Sequence, residues 1–313
     1  MNVDWAATDE ASLVQELVDR WWKRGHVLAR DEALLRWQYR FPGDEGRLSV
    51  LLARVGGRPV GLLGVVQAPF CRHGETLRGG WLATWTVAEE ARGTQAGLAL
   101  LLEAVREFDV VGCLGFNEQA ETIYRRLGFD VRTPLPRFVA LEPRGEPAPA
   151  VEWSVEAAER WDRCWRELAP AFVGTARDAA FLRRRYVEHP TYRYVVRFAD
   201  DALVVHRVQD VEGRCVVRFV EALGDPEAAA ALVGLALHEA EDAWLADFTC
   251  VNEAHAEPFV RAGFVPETSL PEPPPDRFEP LGRSPRGLGA AFHGVAAAEV
   301  YATRADGDQD RPS

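Results

Sequence analysis

The chain has 313 residues, 36 Lys+Arg against 48 Asp+Glu, and a formal net charge of −12. That length fits about two domains, and 47% hydrophobic residues can fill packed cores rather than leave the chain disordered. The acidic balance argues against a nucleic-acid backbone as partner, which calls for a basic face.

The longest stretch without a charged residue, Pro59 to Cys71, is well short of the roughly 20 apolar residues of a membrane span. The opening Met1–Glu10 carries no Lys or Arg and so lacks a signal-peptide pattern. The expectation is a cytoplasmic protein with no membrane partner. Five scattered cysteines without a CxxC, and seven histidines without ligand spacing, predict no disulfide framework and no metal. Lys23 is the only lysine; it follows no glycine loop and lies in WWKRG, so neither a P-loop nor a pyridoxal-phosphate lysine is expected.

In chain order, a tryptophan-bearing helical region (VDRWW, Val18–Trp22) precedes Asp31–Tyr39 (DEALLRWQY). Strand-like runs follow at Leu48–Val55, Val60–Gln67 and Trp81–Val87. A helix then carries Leu98, Leu101, Leu102 and Val105 at i, i+3, i+4, i+7, which predicts an apolar stripe. Val110–Phe116 reads as a buried strand. The next helix carries Ala120, Ile123, Tyr124 and Leu127 and ends at Gly128, a left-handed cap.

The chain then repeats itself. WDRCW (Trp161–Trp165) and DAAFLRRRY (Asp178–Tyr186) echo the first pair of segments. Val195–Phe198, Ala202–Val208 and Val216–Glu221 match the strands. Asn252–Phe264 (NEAHAEPFVRAGF) matches Asn117–Phe129 (NEQAETIYRRLGF). Strands with helices packed on the sheet predict an α/β (α+β) class, built as two tandem domains, each a mixed, mostly antiparallel sheet flanked by helices. The proline-rich EPRGEPAPA (Glu142–Ala150) sets the expected boundaries. These are 1–145, 146–270, and a tail of 271–313 holding a Pro-rich segment, a closing strand in Leu288–Thr303 and an acidic, solvated end.

The strongest local signal is Trp81–Gly97, a strand that turns through VAEEARGTQAG into a helix. Small residues there let backbone N–H groups approach a ligand, and the helix N-terminus adds about half a positive charge, so the turn suits an anion. About 25 residues downstream stands N-x2-A-x3-Y-x3-G-F: Asn117, Ala120, Tyr124, Gly128 and Phe129.

Together these motifs resemble the GCN5-related N-acetyltransferase superfamily, specifically in the first half and weakly in the second. The resemblance implies that acetyl-CoA, or another acyl-CoA, is the cosubstrate. It implies that Val87 ends the strand facing the pantetheine arm. Arg92, Gly93, Thr94, Gln95, Ala96 and Gly97 would form the pyrophosphate loop. Asn117 would sit by the cofactor arm where the sheet splays, and Tyr124 would protonate the leaving thiolate. A tyrosine of pKa about 10 suits a thiolate of about 8.5. Gln95 replaces the family's middle glycine and would either crowd the pyrophosphate or contact it through its amide.

In the second copy Asp225-Pro226 reads as a helix cap that repels phosphate, and Phe259 replaces Tyr124. One cofactor per chain is therefore expected. The acceptor implied is a small-molecule primary amine, an amino sugar as first guess. Glu89, Glu90, Glu221 or ordered water remain open as general base, with an ion-paired structural Glu221 preferred. Trp81, Ala83 and Trp85 alternate onto one strand face, where they would wall the acyl pocket. A non-catalytic module, or a transferase of longer acyl groups, remains the alternative.

Overall fold

A computed structural model describes residues 1–199 and 201–310. In chain order the first half holds β1 (Asn2–Ala7), α1 (Ala11–Leu17), α2 (Val27–Arg30), α3 (Glu32–Gln38), β2 (Arg47–Val55), β3 (Arg58–Arg72) and β4 (Glu75–Val87). It continues through α4 (Ala96–Glu107), β5 (Val110–Leu114), α5 (Glu118–Arg126), β6 (Asp130–Arg132) and β7 (Arg137–Leu141). The second half holds β8 (Val151–Glu152), α6 (Val155–Leu168), β9 (Val173–Thr175), α7 (Ala179–Leu182), β10 (Val195–Ala199), β11 (Ala202–Val211) and β12 (Arg214–Gly224). Then come α8 (Pro226–Glu239), β13 (Ala243–Thr249), α9 (Glu257–Arg261), β14 (Val265–Pro266), β15 (Arg277–Phe278), β16 (Leu281–Gly282) and β17 (Ala290–His293).

Two sheets result, of order β1-β2-β3-β4-β5-β17-β6 and β14-β7-β13-β12-β11-β10-β8, with β9 added to β3. Both are mainly antiparallel, with one parallel pair each, β4–β5 and β12–β13. The chain is thus two acetyltransferase-type α/β domains in tandem.

The expected boundaries at 145 and 270 do not separate the two sheets. β7 lies before the Pro-rich linker yet pairs with β13, and β17 lies in the C-terminal segment yet inserts between β5 and β6. The second sheet therefore takes β7, and the first takes β9 and β17, from across the linker, and β17 leaves β5 with no exposed edge.

The repeated D…LR..Y pattern has a shared physical cause. Asp31 and Asp178 cap α3 and α7, accepting from Leu34 N and Phe181 N. The tyrosine that follows is buried and reaches the bulged strand of its own sheet: Tyr39 Oη to Thr84 Oγ1 at 2.9 Å, Tyr186 Oη to Glu221 Oε1 at 2.5 Å. The ring of Tyr39 lies over Gly64, where there is no room for a Cβ.

Two helix and strand expectations shift. On α4 the buried residues are Ala96, Leu100, Leu101 and Ala104, while Leu98 and Leu102 are exposed. The run of leucines fits two phases of the helical period, and the small Ala96 and Ala104 decide it by letting α4 sit close on the sheet. On β4 the register slips between Leu82 and Trp85, one extra residue against β3. That bulge changes the phase of alternation. Trp81 consequently packs beside Phe292 and donates to Thr175 Oγ1 at 2.9 Å, while Trp85 packs beside Tyr124. The two do not share a wall.

The acidic tail is not solvated. Asp306 and Asp310 are buried and paired with Arg177 and Arg185 at 2.8 and 2.9 Å. Burying carboxylates this deeply requires such partners.

Candidate active site

β4 and β5 run parallel from Gly79/Val110 to Leu82/Cys113 and then part. From Ala83 to Val87 the β5-facing edge of β4 has no strand partner, although the other edge still pairs with β3 through Trp85 and Val87. The bulge drives the separation, because it turns the end of β4 away from its neighbour. The result is a V-shaped opening with unpaired backbone groups along one side.

A short turn, residues 89–91, leads from β4 to α4. Arg92, Gly93, Thr94 and Gln95 are exposed, and Gly93 takes φ +80° with open space where a Cβ would stand. Thr94 folds inward: its N–H donates to Ala91 O at 3.2 Å, and its Oγ1 accepts from Ala96 N at 3.2 Å. Gln95 is the N-cap of α4 and makes no side-chain cap bond. Its side chain is exposed. Gly97 packs on Trp85, 3.6 Å from the ring to its Cβ position. The turn leads into the N-terminus of a 12-residue helix, which suits an anion.

Tyr124, on α5, packs against Trp85 of β4 and Cys113 of β5. It is buried among Trp85, Phe116 and Phe129 at 5.9, 5.4 and 5.0 Å between ring centroids. Its hydroxyl donates to Cys113 Sγ at 3.3 Å. Burial pushes the Tyr124 pKa well above its ordinary value and the Cys113 thiol up to about 12. Both groups are protonated at neutral pH, and the phenol already donates to a sulfur.

Asn117 follows β5 beside the opening, but its side-chain oxygen caps α5, accepting from Ala120 N at 2.9 Å. Gly128 takes φ +80° as the expected left-handed cap. Glu89 and Glu90 are exposed on the turn. Glu221 is fully buried in the second domain, bonded to Tyr186, Tyr301 and Arg177, with burial holding its pKa up. Ion-pairing accounts for it, as expected.

The second domain repeats the opening and closes it. β12 and β13 part after Phe219/Phe248. The C-terminal segment fills the gap: Thr303 Oγ1 donates to Val220 O at 2.6 Å, Tyr301 Oη accepts from Ala222 N at 3.2 Å, and Val251 N donates to Ala302 O at 2.9 Å. Phe259 stacks on Phe248 at 4.0 Å. Asp225 caps α8 by accepting from Glu227 N and Ala228 N.

The same tail then passes the open end of the first domain's gap. Gly307 lies against Leu114, and Gln309 stands 2.7 Å from the Cβ position of Gly115, just past β5. Asp308 and Gln309 also line a cleft of about 230 Å³ bounded by α3 and the 276–280 strap. The cleft carries the carboxylates of Asp276, Glu279, Asp308 and Asp310, the cations of Lys23, Arg218, Arg277 and Arg304, and the buried amides of Gln38 and Gln209. Asp308 is close enough to contribute to raising the Tyr39 pKa to about 12, after burial. Sequence reasoning missed this group, because its residues come from distant segments of the chain.

A parted parallel pair, an open turn at a helix N-terminus and a buried phenol define an acyltransferase-type domain. Residues 13–129, within the N-terminal domain, match the acetyltransferase (GNAT) family. Its fold is the one that uses acetyl-CoA as cosubstrate. The comparison with curated proteins returns no match. Among solved structures, the chain is similar to a GCN5-related N-acetyltransferase from Anabaena variabilis at 10% identity, covering 95% of this chain and 74% of that one with a TM-score of 0.62. It is also similar to a GCN5-related N-acetyltransferase from Kribbella flavida (16%, covering 93% and 70%, TM-score 0.61) and to Eis1 from Mycobacterium abscessus (17%, covering 79% and 65%, TM-score 0.52). Among the described residues no helix is long and apolar enough to cross a membrane, and no cluster of His, Cys, Asp or Glu could hold a metal ion.

Proposed function

We propose that the chain is an acyl-CoA-dependent N-acyltransferase, with acetyl-CoA as donor and the primary amine of a small polar molecule as acceptor. The observation that carries this reading is the contrast between the two gaps: the first keeps its open turn and its phenol, and the second is sealed by the tail and carries phenylalanine.

In this reading Arg92 to Gly97 hold the pyrophosphate with backbone N–H groups and the positive end of α4. The unpaired edge of β4 through Val87 takes the pantetheine arm. The bound thioester supplies the electrophilic carbonyl. Asn117 fixes the start of α5 and thereby the position of Tyr124. Tyr124, kept protonated by burial, turns its hydroxyl from one sulfur, Cys113, to another, the departing thiolate.

The amine enters through the cleft. Asp308, on the segment that links the cleft to the gap, holds the ammonium and takes its proton. The polar lining favours a hydroxyl-bearing acceptor such as an amino sugar. The test is equilibrium binding of acetyl-CoA to the full chain, followed by thiol release in the presence of a panel of amines that includes amino sugars. Absence of binding at about millimolar cofactor would remove the reading; binding without turnover on any amine would leave the non-catalytic alternative.

A further inference from the structure

A second cavity, of about 200 Å³, lies between β3, the end of α3, α7 and the turn 305–307. It shares Gln38 with the cleft and none of the proposed donor-site residues. Its walls are largely apolar, with Trp37, Val66, Pro69 and Phe181 prominent. An engineered cavity of about 150 Å³ is enough to hold benzene, so a branched or aromatic side chain fits here.

Three polar groups on its walls lack a match within the protein. Asp306 is 4% exposed; its Oδ2 accepts from Arg177 Nη2 at 2.8 Å and Thr303 N at 2.9 Å, while its Oδ1 has no hydrogen-bond partner. Gln38 is 2% exposed, and its Nε2 makes no hydrogen bond. Arg184 donates to Trp37 O at 3.3 Å, but among the described residues no carboxylate stands within ion-pair distance of it. Its charged neighbours are Arg40 and Arg185, both cations, and Arg185 is already paired with Asp310.

Buried polar groups are almost always satisfied, and one left unpaired is costly. The cavity therefore asks for a molecule with a donor for Asp306, acceptors for Gln38 and Arg184, and an apolar body. An α-amino acid with an apolar side chain meets all three demands at once. We propose that this cavity binds such a free amino acid, its ammonium on Asp306 Oδ1 and its carboxylate on Arg184 and Gln38.

The test titrates the full chain with L-leucine, L-leucinamide and 4-methylpentanoate, read by calorimetry and by tryptophan fluorescence. Leucine should bind saturably at millimolar concentration or below. Each single-headed analogue should bind at least about tenfold more weakly, because each loses one charge-assisted contact. Arg184→Gln should weaken leucine about tenfold and leave leucinamide unchanged. Ala180→Leu, at the exposed rim on α7, should block leucine while acetyl-CoA binding persists. The proposal is overturned if neither leucine nor phenylalanine binds at about 20 mM, if an analogue binds as well as leucine, or if Arg184→Gln leaves leucine affinity unchanged.

Discussion

Tyr124→Phe separates chemistry from packing. The substitution removes one O–H···S bond of 3.3 Å and leaves the contacts with Trp85, Phe116 and Phe129 in place. A net hydrogen bond contributes about 0.5–1.5 kcal/mol, and sulfur is a weak acceptor, so stability should fall by less than about 1 kcal/mol. A positioned acid contributes about 10²–10⁴ in rate, which corresponds to roughly 3–5 kcal/mol of barrier. Turnover should therefore drop by at least a hundredfold while acetyl-CoA affinity stays within about twofold. Thiol release under saturating amine reads the first quantity, calorimetry the second, and urea unfolding the third. Because burial holds the phenol protonated above its ordinary range, the wild-type rate should not decline below about pH 10 through loss of this acid. Unchanged turnover in Tyr124→Phe, or a parallel loss of cofactor binding, refutes the assignment.

Three further outcomes follow from the geometry. Gly93 at φ +80° has open space around it, so Gly93→Val costs roughly 1–2 kcal/mol of backbone strain and no packing; acetyl-CoA affinity should fall about tenfold in calorimetry with little change in the far-UV spectrum. Asp308→Asn should lower kcat/KM for the amine by about tenfold or more, with acetyl-CoA affinity preserved. His206 is buried with Nδ1 unpaired, and burial pushes its pKa down to about 3. The unfolded chain protonates this histidine near pH 6.5, so stability is fully present above that pH and is lost as pH falls toward about 3, by at most roughly 1.4 kcal/mol per pH unit. His206→Leu should flatten that slope in urea titrations; an identical slope would show that another group carries it.

Much of the site was legible because it is local. Asn117, Tyr124, Gly128 and Phe129 sit on one helix and its caps, and the 92–97 turn follows its strand directly. The repeat was legible too, and the structure supplies its cause in the capping aspartates and the tyrosines that reach each bulge. What escaped is non-local. β7 and β17 find their sheets across more than a hundred residues. The fate of the acidic tail depends on Arg177 and Arg185, which no spacing near Asp306 and Asp310 announces. The β4 bulge inserts one residue, and that single residue places Trp81 and Trp85 among different neighbours.

The central claim is that one gap per chain receives the donor, because the other is filled by residues 301–303 and guarded by Asp225. The number of acetyl-CoA molecules bound per chain at saturation, measured by calorimetry with the active protein concentration calibrated independently, tests it most directly. The account predicts one, and predicts that its affinity falls about tenfold in Gly93→Val. A stoichiometry of two, or an affinity unchanged in Gly93→Val, would contradict it.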